Sequence, residues 1–350
     1  MEYRNLGRSG LKVSTMTLGT MTFGGVNDFS KAGNTDLKEA KEMISMCVDH
    51  GINLLDTANL YSFGVSEEII GQALDGKRPG NMLIATKARM PIGNMPNDSG
   101  FSRYHIIREC ERSLKRLKTD AIDIYYMHEW DGQTPVEEML EALDSLVKQG
   151  KIRYIGCSNF SGWHIMKALG ISDSHHYQRF VTQQIHYTAE AREAEYELLP
   201  ISVDQGLGVL VWSPLAGGLL TGKYNRNYQP QETTRFTQGW PEPPIYNRER
   251  LWNIVDTFTQ IANNHGASAA QVGLAWLLTR PAVTSLVIGG RNIAQIKENI
   301  AATELKLTVE EINQINEVSA IPMLYPYWHQ ARWAKDSFST ADKALHGEEQ

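Results

Sequence analysis

Short apolar runs, each ending abruptly in a polar or ionisable residue, alternate along the chain with longer stretches whose apolar positions repeat at helical spacing. Asn53-Leu54-Leu55-Asp56 is one such run, and Tyr61 follows five residues after the acid. Ile84-Ala85-Thr86-Lys87 and Ile124-Tyr125-Tyr126-Met127-His128 have the same form. Runs too short for a helix and bounded by polar residues predict inner parallel strands, which carry chemistry at their carboxyl ends. Asp56, Tyr61, Lys87 and His128 are thereby predicted to share one rim.

Taken in order, Tyr3 to Leu6 and Leu11 to Ser14 flank Gly7-Arg8-Ser9-Gly10, which predicts a hairpin able to plug one barrel end. Met16 to Gly19 is the first barrel strand. Leu37, Ala40, Ile44, Cys47 and Val48 mark a helix from Asp36 to His50, stopped by Gly51. Ser66 is predicted to cap a short helix carrying Ile69, Ile70, Ala73 and Leu74, and Ser102 to open one with Ile106, Cys110, Leu114 and Leu117 inward. Thr134-Pro135-Val136-Glu137 reads as a capping box with proline in the first turn, ahead of a stripe of Met139, Leu140, Leu143, Leu146 and Val147. Further strands are predicted at Asn53 to Asp56, Met82 to Lys87, Ile122 to His128, Arg153 to Cys157, Val181 to Ile185, Val209 to Trp212 and Ser285 to Ile288.

Eight strands alternating with helices leave two economical solutions, an open doubly wound sheet or a closed (β/α)8 barrel. The count favours the barrel. A doubly wound dinucleotide domain should also carry Gly-x-Gly-x-x-Gly after its first strand, and no such motif is present. The fold class is therefore α/β, a TIM barrel over residues 1–320 with the hairpin at 1–14 and a C-terminal extension at 321–350. Residues 224–247 are rich in Pro, Gln, Thr and aromatics without periodicity, which suits a lid-like loop or a surface excursion. The extension carries the aromatic, basic stretch Tyr325 to Trp333.

Composition narrows the function classes. The formal charge is −6 over 350 residues, and Lys and Arg are scattered, so no basic field for nucleic acid is expected. No apolar stretch approaches membrane-spanning length, and the N-terminus lacks a leader-like apolar region, so a soluble, cytoplasmic protein is expected. The three cysteines have no metal-like spacing and read as buried thiols in a reducing compartment. No metal is expected.

A phenol is a poor acid at neutral pH, with an ordinary pKa of about 10, but a nearby ammonium lowers it by up to a few units. Lys87 supplies that ammonium, and Asp56 the counter-charge that its burial requires. With His128 orienting a carbonyl oxygen and Tyr61 giving a proton, the carbonyl carbon becomes a hydride acceptor.

With these residues, from the hairpin to about Ser319, the chain resembles the aldo-keto reductase family, barrels that use NADPH without a Rossmann fold. Asp-x-x-x-x-Tyr after the second strand is matched by Asp56 and Tyr61, the lysine after the third by Lys87 and the histidine after the fourth by His128. The resemblance implies that Tyr61 is the general acid, that Lys87 and Asp56 tune it, and that His128 positions a small-molecule carbonyl substrate. Gly156-Cys157-Ser158-Asn159-Phe160 is similar to the signature after strand five, which implies that Ser158 and Asn159, with Gln183, hold the nicotinamide amide.

Trp212 would stack on the nicotinamide ring, while Ser213-Pro214-Leu215 and Gly217 to Lys223 would wrap the pyrophosphate. Gly289, Gly290, Arg291, Gln295, Glu298 and Asn299 resemble the adenosine-gripping segment, with Arg291 and Gln295 near the 2′-phosphate. Gly19, Thr20, Met21, Asp56 and Arg235 complete the expected cofactor contacts. A planar cation at Arg291 matches a phosphate monoester bidentately, which favours NADPH over NADH. The usual Ser or Lys of the family is absent there.

Phe23, Trp130 and Tyr187 are the expected substrate pocket, suited to bulky or ring-bearing carbonyls. Gly217 to Lys223 also fits most of a nucleotide P-loop, but Tyr224 stands where a Mg²⁺-binding hydroxyl belongs. Two other functions fit the same barrel: a Schiff-base aldolase with Lys87 as nucleophile, and a non-catalytic NADPH-binding partner subunit. The second arises because the pattern also resembles the β subunits of voltage-gated potassium channels. Those proteins depart from the histidine after strand four, whereas His128 is present here.

Overall fold

A computed structural model describes residues 1–79, 82–226 and 244–346. Strands β1 (Tyr3–Asn5) and β2 (Lys12–Ser14) form the antiparallel hairpin, with Tyr3 opposite Ser14 and Asn5 opposite Lys12. Then follow β3 (Met16–Gly19), α1 (Leu37–Asp49), β4 (Leu54–Asp56), α2 (Val65–Leu74), β5 (Leu83–Ala88), α3 (Arg103–Leu117), β6 (Ile122–Met127), α4 (Val136–Lys148) and β7 (Ile152–Ser158). The second half continues through α5 (Gly162–His175), β8 (Thr182–His186), α6 (Leu198–Gln205), β9 (Gly208–Trp212), α7 (Arg248–His265), α8 (Ala269–Leu278) and β10 (Val283–Ile288). Helices α9 (Ile293–Ala301), α10 (Val309–Val318), α11 (Tyr327–Trp333) and α12 (Thr340–His346) complete the described residues.

Strands β3 to β10 pair in parallel around a ring, and β10 returns to β3, so the barrel is closed. Parallel strands covered on both faces read as continuous apolar runs, which is why the sequence pattern located them. Leu54, Ala85, Ile124, Tyr126 and Leu210 fill the barrel interior together with Leu6 and Val13 of the hairpin. The hairpin therefore closes the amino-terminal end of the barrel. Its turn requires Gly7 at φ 58°, where a Cβ would lie 2.4 Å from the Gly206 carbonyl oxygen.

The helix signals are met unevenly. Asp36 caps α1 in a capping box with Glu39, and Ser102 accepts from the His105 amide at the start of α3. Thr134 does not cap α4: its hydroxyl donates to Asp131 at 2.7 Å, an ionised acceptor that outcompetes a backbone partner, and Pro135 takes the N-cap place. Ser66 lies inside α2 rather than at its cap, because its hydroxyl donates 2.9 Å to the Thr20 carbonyl. Cys47, Cys110 and Cys157 are all free and buried, and burial pushes the Cys47 and Cys110 thiols up to about 12. Of the lid-like segment, 227–243 lie outside the described residues. No described helix is long and apolar enough to cross a membrane.

Candidate active site

Asp56 ends β4 and Lys87 lies one residue before the end of β5, their strands paired so that Asp56 sits opposite Ala85. Two residues on, Lys87 pairs with Tyr126, whose inward ring occupies the space left by Gly156 on the next strand. Period two then points Lys87 into the barrel, above that ring. The Lys87 ammonium donates to three acceptors: Asp56 Oδ2 at 2.6 Å, the Thr57 carbonyl at 3.0 Å and Tyr61 Oη at 3.4 Å. All three ammonium protons are thus placed.

Lys87 is fully buried and Asp56 is 1 % exposed, so the ion pair sits in a low-dielectric interior where neither charge is tolerable alone. Burial opposes the ammonium charge. Attraction to Asp56 and then Tyr61, with hydrogen bonds to both, outweighs it and holds the Lys87 pKa above the ordinary lysine value. Gln184 Nε2 donates 2.8 Å to the other Asp56 oxygen, fixing the carboxylate from the far side of the barrel.

Tyr61 is carried by a short 3-10 segment, Tyr61–Gly64, in which Ser62, Phe63 and Gly64 all have positive φ. That reversal starts immediately after the phenol. The Ser62 hydroxyl secures it by donating to the Phe23 carbonyl at 3.0 Å. Behind β5, fully buried Glu67 accepts from Thr86 at 2.6 Å and from Arg116 at 2.6 Å. The residue next to Lys87 is thereby tied to α3.

His128 follows β6, and its ring stands edge-on to Tyr61 with centroids 5.9 Å apart. Burial, then the charges of Lys87 and Arg89, drive its pKa well below the ordinary imidazole value, so the ring is neutral at neutral pH. Its Nδ1 is buried and has no hydrogen-bond partner. His186, whose ring packs 4.7 Å from Trp212, is likewise lowered by burial to about 4.

An imidazole that resists protonation when folded takes its proton more readily when unfolded. Acidification below about 6.5 must then drain native stability until the folded pKa is reached. Urea midpoints are expected to fall from pH 7 towards pH 4. His186→Asn should flatten that decline, and an unchanged slope in the variant would contradict the assignment.

The segments expected to hold a cofactor surround the same rim. Ser158 donates to the Gln184 carbonyl at 2.8 Å, and Asn159, at φ 58°, donates to the His128 carbonyl at 3.0 Å. Trp212 donates its indole proton to Asn159 Oδ1 at 3.0 Å, which fixes the ring at the mouth. After β9 the backbone turns left-handed at Ser213, Ala216, Gly217, Gly218 and Gly222. Pro214 is buried there, Leu215 half-buried and Lys223 exposed.

Gly19 ends β3, Thr20 donates to the Asp56 carbonyl at 3.0 Å, and half-buried Met21 follows. Gly289 and Gly290 follow β10. Arg291 lines a cavity of about 230 Å³ with Ser30, Lys31, Gly33, Asn34 and Thr35. Gln295 accepts from the Arg291 amide at 2.8 Å, Asn299 reaches the Gly289 carbonyl at 3.4 Å, and Glu298 is exposed.

Residues 15–320 match the model of the Aldo/keto reductase family. The chain belongs to that family. This aldo/keto reductase is 40% identical to an uncharacterized oxidoreductase, YrpG, of Bacillus subtilis, over 91% of this chain and 96% of that protein. It is 37% identical to a probable voltage-gated potassium channel subunit beta of Arabidopsis thaliana, again over 91% and 96%. It is 33% identical to versiconal hemiacetal acetate reductase of Aspergillus parasiticus, over 93% and 99%.

Not every residue expected at the aldo/keto reductase site reaches the mouth. Gln183 pairs with Cys157 and Val209, which face the outer core, and its amide donates to the Leu198 carbonyl and Ser202 of α6. Gln184 pairs with Ser158 and Leu210 and points inward. One residue of register exchanges the two faces, and a Gln-Gln pair gives no hint of which is which.

Tyr187 is fully buried, hydrogen-bonded to Glu195 at 2.5 Å and packed on Trp276, so it braces the wall behind the barrel. Phe23 is fully buried in the core. Trp130 remains at the rim, stacked on His164 with centroids 3.7 Å apart. Arg235 lies outside the described residues.

Proposed function

We propose that this aldo/keto reductase is an NADPH-dependent carbonyl reductase that converts an aldehyde or ketone to the alcohol. The observation that carries the reading is the buried Lys87 ammonium shared between Asp56 and the Tyr61 hydroxyl. Tyr61 gives its proton to the carbonyl oxygen, and the adjacent ammonium stabilises the phenolate left behind. Asp56 keeps Lys87 charged. Neutral His128 directs a ring N–H at the same oxygen and so fixes which face of the carbonyl is presented.

NADPH supplies the hydride when bound. The chain's residues fit it: left-handed backbone from Ser213 to Gly222 leaves room for a pyrophosphate, with open space beside Gly218 where a Cβ would stand. Ser158, Asn159 and Trp212 would hold the nicotinamide end. Arg291 with Lys31 would face the 2′-phosphate across their shared cavity. The segment Gly289 to Asn299 would close over the adenosine.

An aldolase would need Lys87 as a free amine, whereas the Asp56 contact holds it as ammonium, which has no lone pair for a carbonyl. The reductase reading is tested by mixing the protein with NADPH and a panel of aldehydes and ketones. Loss of NADPH absorbance with alcohol formed in equal amount is expected. A protein that binds NADPH yet consumes none with any carbonyl would sink the reading.

A further inference from the structure

Arg89 is the first residue beyond β5, two positions past Lys87, and shares the inward parity of Ala85 and Lys87. Its backbone is left-handed at φ 137°, a costly conformation for arginine, and the Gly100 amide fixes it by donating 2.8 Å to the Arg89 carbonyl. His128 lies beside it across the rim: Ala88 pairs with Met127, and the His128 amide donates to the Ala88 carbonyl at 2.9 Å.

Arg89 is half-buried, and its Nε is buried without a hydrogen-bond partner. Among the described residues it takes part in no ion pair or side-chain hydrogen bond. Other enclosed arginines are treated differently: Arg192, Arg250 and Arg280 each face a carboxylate. Glu129, two residues past β6, is near enough for the Arg89 charge to oppose the burial that raises its carboxyl pKa, but the two close no ion pair, and Glu129 Oε1 accepts from the Trp130 amide at 2.9 Å. Asp131 is occupied by Phe101, Gln133 and Thr134. A strained backbone thus holds a planar cation at the rim, attracted by Glu129 but, among the described residues, with its hydrogen-bonding fork taken by no carboxylate.

We propose that Arg89 anchors an anionic group of the substrate, so that the preferred substrates are carbonyl compounds bearing a carboxylate. This rests on the reductase reading and narrows it. The carboxylate takes the fork of the guanidinium bidentately and passes through the reaction unchanged. Hydride goes from NADPH to the carbonyl carbon, the Tyr61 proton goes to the oxygen, and solvent reprotonates Tyr61. The alcohol acid and NADP⁺ leave.

The test compares 4-carboxybenzaldehyde with its methyl ester, which differ in charge and little in shape. Wild type is expected to favour the acid in kcat/KM by about tenfold or more at low salt, an advantage that added salt erodes. Arg89→Leu should erase the ratio chiefly through KM of the acid, and Arg89→Lys should recover part of it. No preference in wild type, or an equal loss for both aldehydes in Arg89→Leu, would overturn the proposal.

Calorimetric titration with 4-(hydroxymethyl)benzoate separates this outcome from failure of the reductase reading, since it needs no turnover. Binding by wild type that Arg89→Leu loses, with both proteins melting alike, supports the anchor even if no carbonyl is reduced. Equal binding by both, or by neither, removes it.

Discussion

Tyr61→Phe is expected to lower kcat for NADPH-dependent carbonyl reduction by about 10²- to 10⁴-fold, the span that a positioned general acid contributes. The substitution deletes one oxygen and leaves the ring on its neighbours Phe29 and His128. NADPH affinity and the melting temperature should therefore change little, because the lost hydrogen bond from Lys87 is the long one of its three, at 3.4 Å. A variant with near-normal turnover would show that the proton comes from elsewhere, and the proposed chemistry would fail with it.

Lys87→Met should cost more than activity. It strands the Asp56 carboxylate in a buried interior, and breaking a buried pair from one side typically costs about 3–5 kcal/mol. The urea midpoint should fall accordingly, and turnover should vanish. The double variant Lys87→Met with Asp56→Asn removes both charges and keeps the shapes, so it should recover most of the stability and none of the turnover. A single variant as stable as wild type would mean that the pair is solvated in solution. Recovery of stability without activity would separate the two roles proposed for the pair, holding the fold and activating the phenol.

The residues that form the barrel announce themselves because the physics is one-dimensional. An inner strand covered on both faces is an apolar run, and where it emerges at the rim it must end in something polar, which makes Asp56, Lys87 and His128 legible. Local caps such as Asp36 and Ser102 are equally visible, since donor and acceptor lie three residues apart. Competition between alternative partners is not, whether the rival lies three residues back or far along the chain. Thr134 has a capping sequence but a better acceptor in Asp131, and Ser66 is drawn to Thr20, which lies far away in the chain.

Side-chain direction is also hidden wherever neighbours are chemically alike. Gln183 and Gln184 differ only in strand parity, which the pairing with β7 and β9 decides. Tyr187 reads as a pocket phenol, yet Arg280 and Glu195 claim its hydroxyl from behind the wall. Arg89 carried no signal at all, because an arginine near a strand end is ordinary. Only the folded arrangement reveals that, among the described residues, no carboxylate closes an ion pair with it. The left-handed sequence after Tyr61 was visible only at Gly64.

The hairpin has a practical consequence. Arg4 donates to the Leu278 and Val283 carbonyls, Tyr3 reaches the Gly51 carbonyl, and Leu6 enters the barrel floor. Residue 1 consequently sits on the face opposite the one where Tyr61 waits. A fusion or a solid support attached there would hold the protein by its base, leaving the working face turned towards solution.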